Sequence, residues 1–193
     1  MTEQPRRAYH HGDVPAVVLA ATLAAVGELG PAAVGLREVA RRAGVSHATV
    51  THHFGDKAGV FTAIAADGYR LLAEELGAAV ERGEGFLELG VGYVRFAIAH
   101  RAHFEVMFRP ELYRADAPEV VEQRRRTAAA LYGGAAEIAD ADDDRAVVAG
   151  VAGWAIVHGV AQLWLTGNLP AALGADPEDI TRRVARLLGP RSG

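Results

Sequence analysis

The stretch "LREVARRAGVSHATVTHHFGDKAG", residues 36–59, contains two short segments of helical periodicity separated by one tight turn. In the first segment apolar residues recur every three or four positions, which is the spacing of one helix face. Gly44 ends this helix, and the hydroxyl of Ser46 can cap the helix that follows. Two helices joined in this way have the spacing of a helix-turn-helix, so the stretch predicts that motif.

The same start and stop signals extend in both directions from this stretch. Asp13 is a candidate N-cap for a preceding helix that ends at Gly30, and Asp56 is a candidate N-cap for a long helix that follows. Glycines at 83 and 85 mark a junction, and the segment 86–100 is apolar nearly all round, as expected of a buried helix. No segment alternates with the period of a strand, so the predicted fold class is all-α.

These signals predict two domains. Residues 1–57 form a three-helix DNA-binding domain with the helix-turn-helix, and residues 57–82 form a connecting helix. Residues 83–193 form a C-terminal helical bundle.

Charge is distributed unevenly along a chain whose net charge is −4. Residues 1–57 hold six basic and five acidic side chains, whereas the remaining residues hold 14 and 19. An anionic partner is therefore expected at the N-terminal end alone. The chain has no cysteine, which excludes thiolate metal sites and cysteine nucleophiles, and its first residues lack the apolar core of a signal peptide. We expect a cytoplasmic protein without a cofactor.

The second helix of a helix-turn-helix enters the major groove of DNA, with its N-terminal residues against base edges. Arginines on the preceding helix (Arg37, Arg41 and Arg42) suit the phosphate backbone, and Lys57 lies where an ammonium and a helix N-terminus can hold a phosphate. His53 is predicted to pack beside Phe54. The candidate DNA-contacting residues are Tyr9, His10, His11, Arg37, Ser46, His47, Ala48, Thr49, Thr51, His52, His53 and Lys57.

The motifs "LREVARRAGVS" and "HHFGDKAG", with "YHHGD" at residues 9–13, resemble the N-terminal domain of TetR-type transcriptional regulators. "HRAHFEVMF" and "WAIVHG" resemble the C-terminal ligand-binding domain of one subset of that family, which has a Trp-x-x-x-His-Gly motif. The family usually has Tyr at the position of Thr51. A threonine offers a shorter hydroxyl contact, although its methyl group could touch a thymine methyl.

The resemblance implies a homodimer that binds a palindromic operator in double-stranded DNA, and whose affinity changes when a small-molecule effector binds the bundle. It implies dimerisation through the last two long helices, about 142–166 and 176–188. The candidate effector-binding residues are Tyr93, Phe96, Phe104, Met107, Phe108, Trp154, His158 and Trp164. The candidate dimer-interface residues, three of them small, are Ala149, Gly150, Gly153, Ile180, Val184 and Leu187.

Two other classes of function are compatible with parts of the sequence. If His100, His103 and His158 converge, they could form the metal site of a helical-bundle enzyme or of a metal sensor. The uncharged segment 146–166 is long enough to span a membrane, but it contains His158 and Gln162 and lacks basic flanks. We therefore expect a non-catalytic regulator without a metal and without a membrane anchor, in which this segment is a central helix.

Overall fold

The computed structural model describes residues 13–133 and 143–188 of the chain. Within these ranges the chain forms nine α-helices, three short 3₁₀ turns and no strand, which confirms the all-α prediction. The helices are α1 (Val14–Leu29), α2 (Leu36–Ala43), α3 (His47–Phe54), α4 (Lys57–Glu81), α5 (Phe86–Ala99), α6 (Arg101–Met107), α7 (Pro118–Gly133), α8 (Asp143–Leu165) and α9 (Pro177–Ala185). The 3₁₀ turns are Pro110–Leu112, Ala171–Leu173 and Arg186–Leu188.

Local hydrogen bonds begin and end the first three helices where the sequence predicts. An oxygen of Asp13 accepts from the Ala16 backbone N–H at 3.2 Å, and the Ser46 hydroxyl accepts from the Thr49 N–H at 3.0 Å. Each bond satisfies a donor that the first turn of a helix leaves without a partner. Gly44 has a φ of 66°, in the left-handed region, and there it turns the chain from α2 into α3. The helix-turn-helix is thus set by local chemistry.

Helix α4 contributes to the hydrophobic core along its whole length. Near its start Phe61 and Ile64 are buried, where α4 packs against α1 and α3, and further along Leu72 and Leu76 are buried against α5 and α7. Apolar burial in both places is the main favourable contribution to folding. A single 25-residue helix therefore joins the N-terminal unit (α1–α3) to the bundle (α5–α9).

Helix α5 lies at the centre of the bundle, in contact with α4, α8 and α9. Half of its residues are buried, Tyr93 and Phe96 among them, as expected from the apolar segment 86–100. Helix α7 packs along α4, and α6 lies between α1 and α4. The bundle thus surrounds α5 and touches the N-terminal unit through α6.

Two glycines allow helices of the bundle to approach closely. A Cβ atom at Gly68 on α4 would lie 2.5 Å from the sulfur of Met107 and 3.1 Å from the Cβ of His103, both on α6. A Cβ atom at Gly153 on α8 would overlap the ring of Phe86 on α5. Gly153 therefore has a packing role within one chain, whereas a place in a dimer interface stays a prediction.

Helix α8 exposes a continuous apolar face. Val148, Val151 and Leu163 have the spacing of the apolar face of an amphipathic helix. Here that face is open to solvent, since the three side chains are exposed by 68%, 45% and 44%. By length and composition, Val147–Leu165 could cross a membrane, and it is the one helix among the described residues that could. Its opposite face, with Val157, Val160 and Ala161, is buried, because it packs against the other helices of the bundle.

Replacement of Gly68 by alanine is expected to lower the free energy of unfolding by about 1–3 kcal/mol, because the fully buried Met107 has no space into which to move. Gly77→Ala is the matched control, since Gly77 lies on the same helix and a Cβ atom there meets nothing within 4 Å. It should leave stability unchanged or raise it by up to about 1 kcal/mol. Urea unfolding followed by circular dichroism measures both, and equal effects of the two substitutions would contradict the packing assignment.

Candidate functional site

Helix α3 presents nearly its whole surface to solvent. Val50 is its one fully buried side chain, and it anchors the helix to the core of the N-terminal unit. Thr49 and Phe54 are half-buried. The exposed residues of the turn and helix are Ser46, His47, Ala48, Thr51, His52 and His53. A helix that is held by Val50 and Phe54 and is open elsewhere has the form needed to enter a DNA groove.

The hydroxyl groups of the two threonines of α3 form hydrogen bonds with nearby groups of the same helix and its cap. The Thr49 and Ser46 hydroxyls lie 2.8 Å apart, and the Thr51 hydroxyl donates to the His47 carbonyl at 3.0 Å. A hydroxyl that donates to its own helix still has lone pairs with which to accept from a base. Thr51 can therefore offer an acceptor and a methyl group where the family usually has Tyr.

The three histidines of α3 are all exposed, which corrects one expectation. His53 does not pack into the junction with α4: its ring lies 6.4 Å from that of Phe54 and 5.3 Å from that of His52. The reason is rotational position on the helix, because Val50 and Phe54, four residues apart, already occupy the inward face. His53 is thus available to a partner, as are His47 and His52.

Of the three arginines on α2, two are already paired. Arg41 and Arg42 both donate to Glu38, and Arg42 also donates to Glu28 at 2.7 Å. These hydrogen bonds to guanidinium groups hold the pKa of the Glu38 carboxyl at about 2. Arg37 is exposed and forms no ion pair with any residue that the structure describes. Arg37 is therefore the arginine best placed to meet a phosphate, and the proposed backbone role of Arg41 and Arg42 is weakened.

The N-terminus of α4 brings together an acidic and a basic side chain. The Asp56 carboxylate accepts from the Gly59 N–H at 2.9 Å and so caps the helix. The Lys57 ammonium donates to the Ala32 carbonyl at 3.1 Å and lies 5.4 Å from the centre of the Phe61 ring. This leaves Lys57 half-buried and pre-oriented, with two further protons for a phosphate. Tyr9, His10 and His11 lie outside the described residues.

Five aromatic side chains of the bundle surround one another. The His158 ring centre lies 4.6 Å from that of Phe108, 5.3 Å from Phe104 and 6.0 Å from Trp154. Tyr93 lies 6.2 Å away, and its hydroxyl shares a 2.8 Å hydrogen bond with the Nδ1 atom of His158. The Trp154 Nε1–H donates to the same hydroxyl at 3.2 Å. We call these five residues the aromatic cluster.

Burial determines the protonation state of the aromatic cluster. It lowers the pKa of His158 and raises the pKa of Tyr93, because both charged forms lose hydration. A neutral His158 can accept at Nδ1 and donate at Nε2, and a neutral Tyr93 can accept from Trp154 while it donates to His158. The cluster is thus an uncharged polar relay inside apolar walls, with the chemistry of a ligand anchor or of a satisfied core.

The other predicted effector-binding residues lie elsewhere. The Phe96 ring faces His100 at 5.1 Å, and Met107 is fully buried against Gly68. Trp164 is half-buried on α8, about one and a half turns beyond His158. The helical spacing of these residues could not distinguish them from the cluster, because it depends on which helix packs against which face.

A cavity of about 500 Å³ lies beside Trp154 and is lined by residues of α5, α7, α8 and the end of α9. Its volume falls within the usual range for small-ligand pockets. Most of the residues that line the cavity were not predicted from the sequence. Their apolar side chains do not differ from those of other core positions, and only the packing of the helices brings them around one cavity. The lining residues are Phe86, Leu87, Leu89, Gly90, Leu131, Ala149, Gly150, Ala152, Gly153, Trp154, Val157, Ala185 and Arg186.

The predicted dimer-interface residues lie on several different faces. Gly150 is buried, and Ala149 is half-buried at the wall of the cavity. Ile180 is 1% exposed and belongs to the core of the chain itself, which does not favour a place for it in an interface. Val184 is half-buried, whereas Leu187 is 84% exposed, because α9 ends at Ala185 and a 3₁₀ turn rotates Leu187 outward. The sequence favoured the small face of α8, and the structure exposes the valine face instead.

The three histidines of the metal hypothesis do not converge. His103 is buried, and its Nε2 atom lies 3.1 Å from a carboxylate oxygen of Asp67. The His100 ring lies 5.8 Å from that of His103, while His158 faces the aromatic cluster. Among residues 13–133 and 143–188, no group of three metal-ligating side chains is found. The hypothesis of a shared metal site at these histidines is therefore wrong.

An exposed recognition helix, joined by α4 to a helical bundle, defines a DNA-binding regulator. Residues 86–188 match the family model described as "Tetracyclin repressor-like, C-terminal domain", and residues 18–64 match "Bacterial regulatory proteins, tetR family". The chain therefore belongs to the TetR family of bacterial regulators, and it is a DNA-binding transcriptional regulator. None of the curated proteins compared with the chain matches it.

Solved structures share the fold over nearly the whole chain. A protein of unknown function from Rhodococcus sp. RHA1 is 29% identical, with a TM-score of 0.77 over 95% of this chain and 97% of its own. The TetR family regulator PfmR from Thermus thermophilus is 18% identical, with a TM-score of 0.64 over 90% and 98%. A TetR family regulator from Bordetella parapertussis is 14% identical, with a TM-score of 0.69 over 92% and 95%.

Lys57→Ala is expected to weaken binding to every operator variant by a similar factor, because an ammonium supplies charge and no base-specific pattern. The slope of log affinity against log salt should become shallower by about one unit. Anisotropy titrations at several salt concentrations measure both quantities. Arg126→Ala is the matched control, since it also removes one positive charge but from α7, where Arg126 donates to Gln123. A sequence-dependent loss, or an unchanged slope, would contradict a phosphate contact at Lys57.

Proposed function

We propose that the protein is a homodimeric, cytoplasmic repressor that binds a palindromic operator and responds to a small apolar effector. The observation that carries this proposal is the pairing of an open recognition helix with a bundle that contains a ligand-sized cavity. The proposed division is residues 1–57 for DNA binding, a connecting helix 57–82, and residues 83–193 for effector binding and dimerisation. The protein acts by binding, without catalysis or a cofactor.

In the proposed complex α3 lies in the major groove. His47, Ala48 and Thr49 lie at its N-terminal end, where side chains of such helices meet base edges. Arg37 and Lys57 flank the helix and hold phosphates, which fix the position of the protein without reading sequence. Tyr9, His10 and His11 are proposed to contact the DNA backbone. The exposure of every one of the α3 contact residues except Thr49 supports this arrangement.

Dimerisation is proposed through the exposed face of α8, with α9 beside it. Val147, Val148, Val151 and Leu163 are large apolar side chains that remain 44–68% exposed on the described chain. A second copy that packs its own α8 against this face would bury them, and two-fold symmetry would then place two α3 helices on successive major grooves. This arrangement explains an apolar helix with one buried and one exposed face without a membrane.

The effector site is proposed at the cavity beside Trp154, with the aromatic cluster behind it. Trp154 belongs to both, since it lines the cavity and donates to the Tyr93 hydroxyl. An effector that moved the indole would change the hydrogen bond between Tyr93 and His158 as well. Trp154, His158 and Gly159 form the Trp-x-x-x-His-Gly motif, so we place the chain in the subset that carries it. An apolar wall with few polar groups suits an apolar or aromatic effector.

The proposed DNA-binding function is tested with fragments from the region upstream of the protein's own gene. Affinity for the operator fragment should exceed that for unrelated DNA by at least about a thousandfold, and it should fall steeply with salt. His47→Ala should change the ranking of operator variants, because it alters a base contact. Equal affinity for all fragments with no dependence on salt would contradict the proposal.

Trp154→Ala is expected to raise at least tenfold the concentration of an apolar compound that is needed to release the operator. The substitution removes an indole from the cavity wall and deprives Tyr93 of a donor. Operator affinity without the compound should change by less than about threefold, since the bundle keeps its other contacts. The compound is first found by a release screen on the wild-type protein. Trp164→Ala, on the same helix but outside the cavity lining, is the control, and an equal loss in both variants would contradict the assignment.

A further inference from the structure

One side chain of the bundle reaches the N-terminus of α4. Arg114 lies in the loop between α6 and α7, and its Nη2 atom donates to the Asp56 carboxylate at 2.8 Å. The pair joins residues 58 positions apart in sequence. Asp56 precedes Lys57, so the contact is made at the point where the proposed phosphate site begins.

The backbone of Arg114, like its side chain, forms a hydrogen bond with the α4 region. Its N–H donates to the Thr62 hydroxyl at 3.0 Å, and that hydroxyl donates to the Ala58 carbonyl at 2.7 Å. The neighbouring Tyr113 is buried, and its hydroxyl donates to the Met107 carbonyl at 2.8 Å. The loop is therefore fixed against the first two turns of α4, and Arg114 approaches Asp56 from a defined direction.

The surface that receives Arg114 has space for a close approach. A Cβ atom at Gly59 would lie 3.1 Å from the Nη1 atom of Arg114 and would overlap the carbonyl group of Phe54. Only glycine allows the end of α3, the first turn of α4 and the guanidinium of Arg114 to meet there. The final glycine of "GDKAG" thus has a packing role that joins both parts of the protein.

The charge of Asp56 makes this contact relevant to DNA. One carboxylate oxygen caps α4 through Gly59, and the other accepts from Arg114. A carboxylate next to Lys57 would repel a phosphate unless a cation compensated its charge, since charges a few ångströms apart interact strongly near a protein surface. Arg114 is the one side chain cation that the structure, over its described residues, pairs with Asp56.

We propose that Arg114 is a positioning residue for DNA binding: it neutralises Asp56, so that Lys57 and the helix end can hold a phosphate. Arg114 lies within the C-terminal bundle, so the N-terminal unit alone does not contain the complete phosphate site. The inference rests on the proposed phosphate contact at Lys57. It goes beyond that contact, because it assigns the role to a residue outside the helix-turn-helix.

The test compares operator affinity for the wild-type protein, Arg114→Ala, Arg114→Lys and the double variant Asp56→Asn/Arg114→Ala. Arg114→Ala should lose about five- to tenfold in affinity, because Asp56 is left uncompensated. Arg114→Lys should stay within about threefold of wild type, since it keeps the charge but loses the planar fork. Adding Asp56→Asn should restore affinity to within about twofold, because asparagine caps a helix as well as aspartate and carries no charge.

If Arg114 had only a structural role, or contacted a phosphate directly, the variants would give results different from those that the proposal predicts. The Asp56–Arg114 pair is exposed by 59% and 50%, so the urea midpoint of Arg114→Ala should match that of wild type. Arg126→Ala, which also removes one positive charge, should not change affinity. An unchanged affinity in Arg114→Ala, or a loss that Asp56→Asn does not restore, would overturn the proposal. Failure of this inference can be distinguished from failure of the proposed function. In the second case the wild-type protein itself would lack salt-dependent operator binding.

Discussion

The direction of the recognition helix is set by the contact between the end of α3 and the first turn of α4. Asp56 caps α4 only two residues after α3 ends, and Gly59 lets the Phe54 carbonyl pack directly on the new helix. The axis of α3 is therefore tied to the axis of α4. Helix α4 is a single helix of 25 residues that continues into the bundle. A shift of the bundle that moves α4 therefore also moves the recognition helix. The bundle and the recognition helix are thus coupled through α4 even without an effector.

The bundle contains the features needed to use that coupling. Its aromatic cluster is neutral and hydrogen-bonded where it is buried, and it shares Trp154 with an apolar cavity. A ligand can shift such a molecule only through different affinities for two arrangements. The structure shows one arrangement of the cluster, in which the Tyr93 hydroxyl accepts from the Trp154 indole. The α1–α6 contact and the Arg114–Asp56 pair are separate links between the bundle and the N-terminal unit.

Local patterns and packed faces differ in how far the sequence predicts them. The caps at Asp13, Ser46 and Asp56 were predictable, because each depends on side chains within three residues of the bond they form. The dimer face was not. The small residues of α8 suggested a close helix contact, and Gly153 does make one, but with Phe86 of the same chain. The packing of His53 failed for a related reason, since the inward face of α3 was already filled.

An all-helical chain, its helix-turn-helix and its family were accessible from the sequence alone, because these follow from residue spacing and short-range hydrogen bonds. Which aromatic residues meet depended on the tertiary structure, which separates Phe96, Met107 and Trp164 from the aromatic cluster. The same packing brings Arg114 to Asp56, across 58 positions of sequence. Such partners are set by the crossing of packed helices, and no periodicity within one helix contains that information.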